Sequence, residues 1–327
     1  MATAQRAVRC HLYINAPEIG FDAGLAAEAA QVAGDLTREG FPIGVEVRYA
    51  RGDARVQREQ IESDRRKTGA PDLFVVVPVD QNAMQELVSD VLGAEGDATF
   101  VLLHQPLTRM MRVERLEYGS RLYSVSADQE EIGRIQARQF AKLLPDAQGT
   151  VLYVQGREDS HATRHRLKGV LDGLGQTPGV KLAGYRVFGD WSPGSVRPAI
   201  DEWERLGGRM RWVGAAGAQS DDMAIAMADL FRERKAKVPV TGVDGLQAGR
   251  DAVDRGLLVA TVVQPLAVGQ ALRIFRERRS GASEKGQIPE DGNVLLPPAS
   301  YPPVERLEPN RDAPRHGTTR VRAVDVG

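Results

Sequence analysis

The feature that most constrains this chain is a regular alternation between short β-rich runs and stretches of helical spacing. "RCHLYINA" is followed by Phe21, Leu25, Ala29, Val32 and Leu36 at helical intervals, which predicts a helix over about 22–39 that stops at Gly40. The scheme repeats with "GVEVRYA" and a charged helix near 54–66, "LFVVVPVD" and a helix near 81–92, then "TFVLLHQ". Runs this apolar, joined by crossover helices, belong in a parallel sheet covered on both faces.

A second series starts after "RLYSVSAD", where Asp128 and Glu131 have the D-x-x-E spacing of a capping box ahead of a helix over 129–144. "TVLYVQG" with a helix near 160–174, "KLAGYRVFG" with one near 195–206, and "MRWVGAAG" with one near 221–234 follow. "VPVTGVDG", a short helix and "LVATVVQ" close the series, and a further helix spans 267–279. At 327 residues the chain exceeds the usual single domain. The expected class is therefore α/β with two doubly wound, Rossmann-like parallel-sheet lobes. Residues 1–126 with 265–293 form the first, residues 127–264 with 294–305 the second, and the polar, aperiodic segment 306–327 is expected to be a disordered tail.

Composition removes several functions. Lys plus Arg is 43 against 44 for Asp plus Glu, which leaves no basic excess for nucleic acid. The longest apolar runs fall far short of the roughly 18–20 residues that cross a membrane, so no membrane insertion is expected. The start, "MATAQRAVRCHLYINAPEIG", builds no secretion-signal core. As written the chain is expected in the cytoplasm, and in the periplasm if a leader has been removed. Cys10 is alone, so it makes no intrachain disulfide, and no cofactor is expected. "GAAGAQ" lacks the G-x-G-x-x-G spacing, and no phosphate loop or G-x-S-x-G elbow occurs. His161 and His165 are four apart but lack the H-E-x-x-H glutamate, which favours a solvated helix face over a metal site. No catalytic residue is expected.

Open parallel sheets bind small molecules beyond the carboxyl ends of their strands. The residues placed there are Glu18 and Phe21 after the first strand, and His104 and Gln105 after the fourth. The second series adds Arg164, Trp191, Ser220, Asp244 and Gln264. Each has a plainer reading. Ser220, like Asp80 and Asp128, suits a helix cap, Arg164 a protein carboxylate, and Trp191 a loop anchor as well as a sugar ring.

"DLFVVVPVD", "SVSADQEEIGRIQARQF", "VLYVQGREDSHATRHRLKGVLDGL", "GAQSDDMAIAMA", "VPVTGVDG" and "GLLVATVVQP" resemble, in order and spacing, the ribose- and galactose-type periplasmic sugar-binding proteins. Lactose-repressor-type effector domains share that pattern. The resemblance covers about residues 8–300 and implies two lobes joined by three crossover strands, with a ligand held between them by hinge closure. It assigns ligand contacts to Arg164, Asp244 and Gln264, with aromatic rings from Trp191 and Phe21. The chain departs from the pattern at Val77, Ser220 and the His104–Gln105 pair, where asparagines and Asp-Arg are common.

The function these observations support is a solute-binding protein for a small polar, sugar-like ligand, with an ABC permease or a signalling receptor as partner. The alternative is a cytosolic sensor with the same fold and no DNA-binding segment before residue 8. An enzyme comes third.

Overall fold

The computed structural model describes residues 6–18, 20–93, 97–183, 187–281 and 288–314. The chain divides into two compact units, Met1–Asp128 with Gln264–Pro298 and Gln129–Val263 with Ala299–Gly327, and passes from one to the other three times.

In the first unit β1 (Val8–Ile14), α1 (Gly20–Arg38), β2 (Ile43–Tyr49), α2 (Ala54–Arg66), β3 (Leu73–Val76), α3 (Gln81–Leu92), β4 (Thr99–Leu103), α4 (Arg109–Tyr118) and β5 (Leu122–Ala127) follow in order. The second unit contributes α5 (Gln129–Leu143), β6 (Gly149–Val154), α6 (His161–Gly175), β7 (Val180–Leu182) and α7 (Val196–Arg205). It continues through β8 (Val213–Ala218), α8 (Asp221–Glu233), β9 (Val240–Asp244), α9 (Gln247–Asp254) and β10 (Ala260–Val263). The chain then returns for α10 (Val268–Arg279) and β11 (Asn293–Leu296) of the first unit, and ends with β12 (Ala299–Tyr301) in the second.

The first sheet runs β11-β5-β4-β3-β1-β2, parallel throughout. The second runs β12-β10-β9-β8-β6-β7, with β12 antiparallel to β10 and the other pairs parallel. In β3 Leu73 and Val75 pack on the α1–α10 side while Phe74 and Val76 pack under α2–α4. That alternation with both faces apolar is what a strand covered on both sides requires.

The return to the second unit differs from the expected residue 294 and falls after Pro298. Asn293–Leu296 pairs with Ser124–Ala127, and Val294 enters the first core, so this strand completes the first sheet. Segment 306–314 is not a loose tail: Leu307 and Ala313 are buried against the second unit, Asn310 N donates to Leu143 O, and Asn310 Nδ2 donates to Gly214 O. The rest of that segment, 315–327, lies outside the described residues. "KLAGYRVFG" is strand only over Val180–Leu182, with one further bridge from Gln155 to Phe188, and 184–186 also lie outside the described residues. α4 is an addition to the expected elements. Its one buried residue is Met111, while its other apolar residues, Met110, Val113 and Leu116, face outward.

α5 and α6 approach more closely than side chains would permit. A Cβ on Gly133 would sit 2.1 Å from Arg166 O, and one on Gly169 would sit 1.9 Å from Glu130 O. This contact sets the position of α6 and everything it carries. Gly169→Ala should force the helices apart and cost about 2 kcal/mol, read as a lowered denaturation midpoint.

In the first unit the buried Asp64 carboxylate of α2 accepts from Arg48 Nε at 3.0 Å, Lys67 Nζ at 2.6 Å and Tyr13 OH at 3.1 Å, with His11 Nδ1 at 2.8 Å. Burial pushes its pKa up, but the bonds from Arg48, Lys67 and His11 outweigh it and hold the carboxyl well below the usual range. A depressed pKa stabilises the fold above the unfolded value near 3.9, and that contribution is lost as pH falls. Asp64→Asn should therefore cost about 2 kcal/mol at neutral pH, and denaturation curves should show the deficit shrinking below about pH 4.

Candidate functional site

At the strand ends of the first unit the structure brings Phe21, from the first turn of α1, edge-on to the His104 ring at 4.8 Å between centroids. His104 is buried, directly after β4, and its backbone N–H donates to Val125 O at 3.0 Å. Gln105 is half-buried and reaches Pro78 O at 3.4 Å. Glu18 stands apart from them: it is exposed and pairs with Arg51 at 3.4 Å. Such an exposed pair contributes little. Asn15 and Asp22 were not among the expected residues. Asp22 accepts the Asn15 and Ala16 N–H groups at 3.0 and 2.8 Å and so fixes the turn after β1. Burial pushes its carboxyl up to about 6 against the pull of those bonds. The Asn15 Oδ1 beside it is buried with no donor among the described residues.

The second unit carries the denser cluster. Arg166, on the buried face of α6, lies with its guanidinium 5.6 Å from the Trp191 ring, a cation–π distance. Its Nε donates to Gln129 Oε1 at 2.7 Å and its Nη1 to Gln219 O. Gln219 in turn accepts from Gly156 N at 3.0 Å and donates to Thr163 O at 3.1 Å. Burial lowers the guanidinium pKa, and Asp244 is the largest influence raising it again. Asp244 ends β9 and is buried, which pushes its pKa well above the ordinary value while Arg166 opposes the rise.

Asp221, in the first turn of α8, braces this end of the sheet. Its Oδ1 accepts the Thr261 hydroxyl at 2.6 Å and its Oδ2 the Gly245 N–H at 2.8 Å, so one carboxylate ties β10 to the turn after Asp244. Room for it comes from Gly249, where a Cβ would sit 1.9 Å from Oδ2. Burial raises its pKa to about 7 against both bonds. Ser220 beside it serves as the helix cap, its hydroxyl accepting from Met223 N at 3.3 Å. Gln264 is buried immediately after β10, where the chain re-enters the first unit.

Arg164 requires a correction. It is exposed, and its Nη1 donates to Asp159 O at 2.8 Å. The buried face of α6 consists of Thr163, Arg166, Gly169, Val170 and Leu174, while Leu171 is 40% exposed. A stripe drawn through Leu167, Leu171 and Leu174 meets this face only at Leu174, because Gly169, which makes the closest contact, has no apolar side chain to announce it.

His104, Trp191 and Asp244 have φ of +60°, +75° and +116°. Left-handed backbone costs about 1–3 kcal/mol for a non-glycine residue and collects at functional sites. His104 follows β4 and Asp244 ends β9, where such a conformation turns a side chain off the sheet, while Trp191 lies in the loop after the Phe188 bridge.

His161 and His165 stack at 4.0 Å, with His165 Nδ1 3.0 Å from Glu130, and no group of three or more potential metal ligands occurs among the described residues. No helix among those residues is long and apolar enough to cross a membrane.

Residues 20–271 match the periplasmic binding protein domain family. No curated protein sequence matches the chain. Solved structures with the same fold include the fructose-binding periplasmic domain of a hybrid two-component system (18% identity, 90% of each chain, TM-score 0.73). An ABC transporter solute-binding protein from Actinobacillus succinogenes with bound D-allose is 16% identical (90% of this chain, 96% of that one, TM-score 0.73). The Caulobacter myo-inositol binding protein is 20% identical (90% and 93%, TM-score 0.70). These identities carry the fold alone, a two-unit α/β architecture of the type 1 binding-protein kind. The chain belongs to the periplasmic binding protein domain family, whose members bind solutes and do not catalyse reactions.

Proposed function

We propose that this chain is an extracytoplasmic solute-binding protein that captures a small, polar, sugar-like ligand between its two units by hinge closure and passes it to an ABC permease or a signalling receptor. The observation that carries the reading is the buried Arg166 guanidinium against the Trp191 ring, with the buried Asp244 at the end of β9 as the largest influence raising the Arg166 pKa. A guanidinium and a carboxylate offer the strongest donors and acceptors available to neighbouring hydroxyls, and an indole face covers the apolar side of a ring. Phe21, His104 and Gln105 are the contribution of the first unit, while Gln264 sits on a crossover. Relatives that share the fold are described as binding D-allose, fructose or myo-inositol, which supports a neutral polyhydroxylated ligand.

The test is a thermal-shift screen over sugars, cyclitols and polyols. A ligand at about 100 times its Kd should add about 2.7 kcal/mol of stability. Arg166→Lys keeps the charge but loses the planar fork, and should weaken binding by about tenfold or more; Asp244→Asn should do the same. Arg164→Ala should leave both the shift and the unliganded melting temperature unchanged. Loss of the shift in Arg164→Ala, with retention in Arg166→Lys, would reverse the assignment.

A further inference from the structure

α4 presents an unusual outer face. Met110, Val113 and Leu116 are 55%, 58% and 86% exposed and recur every three residues, while Met111 on the opposite side is fully buried. At 3.6 residues per turn the three share one third of the helix circumference. β11 runs beside the start of this helix, where Asn293 Oδ1 accepts the Leu107 N–H at 2.7 Å. Val294 enters the α1–α10 core, so the next residue, Leu295, points to the α4 side of the sheet, and it is 58% exposed. An apolar stripe on a helix surface, continued onto an edge strand, is more than scattered surface leucines.

The charges on this face identify what fits it. Arg109 lies four residues before Val113 and Glu117 four residues after it. Both are exposed, and neither has a salt-bridge partner among the described residues. The face is thus self-complementary about Val113: turned end over end, it meets a second copy with cation level with anion and apolar level with apolar. A parallel arrangement would oppose like charges.

We propose that α4 pairs antiparallel with α4 of a second copy of this chain across a two-fold axis at Val113. Met110 of each copy then lies level with Leu116 of the other, Val113 meets Val113, and Arg109 comes to the level of Glu117. Isologous contacts of this kind are the commonest route to a closed dimer. One ten-residue helix and a strand-edge leucine cover much less than the roughly 1,600 Å² of a standard interface, so the dimer is weak and concentration-dependent.

Sedimentation velocity on the full chain over about a hundredfold concentration range tests this. The expected result is a monomer–dimer equilibrium that Val113→Glu weakens by about tenfold or more. Arg109→Glu and Glu117→Arg should each weaken it, and the double variant should recover most of the loss. These positions are exposed, so at concentrations where the chain is monomeric the melting temperature should not move. A chain that stays monomeric throughout, a dimer indifferent to Val113→Glu, or a double variant without recovery overturns the proposal. The readout is independent of ligand and leaves the proposed binding function untouched.

Discussion

Burying a guanidinium is the constraint on which the second unit is organised. Taken out of water alone, Arg166 would cost several kcal/mol, so the fold has to surround it with acceptors and opposing charge. Gln129 and Gln219 accept its N–H groups, Trp191 lies against it, and Asp244 supplies the largest influence opposing the effect of burial on its pKa. Gln129 is available only because α5 and α6 touch at Gly133 and Gly169. Asp244 is held where it is by a turn whose N–H is fixed on Asp221. A helix contact, a strand end and a buried carboxylate thus all converge on one cation.

The candidate residues of the two units differ in kind. In the second unit charged and amide groups are buried and braced through Asp221 and Gln219. In the first unit the ring–ring contact of Phe21 with His104 dominates, and the turn after β1 is fixed by Asp22.

Much of the fold was legible because alternation of strand and helix patterns leaves little freedom: covered parallel strands read as continuous apolar runs, as in β3 and β4. What escaped has identifiable causes. α4 is rich in charge and only Met111 of its apolar residues is buried, so little core-facing pattern announces it. β11 is four residues long, too short for its pairing partner to be read, although that partner decides which unit owns residues 294–298. Arg164 and Arg166 are two positions apart on one helix, and only the Gly133–Gly169 contact, which needs a tertiary structure to be seen, shows which faces inward. Asp244 and His104 were legible by position at or after strand ends, but their left-handed backbone was not: Asp and His are enriched in that conformation, yet most of them do not adopt it, and the type of Trp191 gives no such signal. Ser220 carried both a capping and a binding reading, and its observed hydrogen bond is that of a cap.

The most direct test of this account is a crystal structure of the protein with a ligand found by screening. The account predicts that Arg166 and Asp244 both lie within hydrogen-bond distance of that ligand, with the Trp191 ring against its apolar face. A ligand bound elsewhere, with Arg166 and Asp244 bonded only to protein groups, would contradict it.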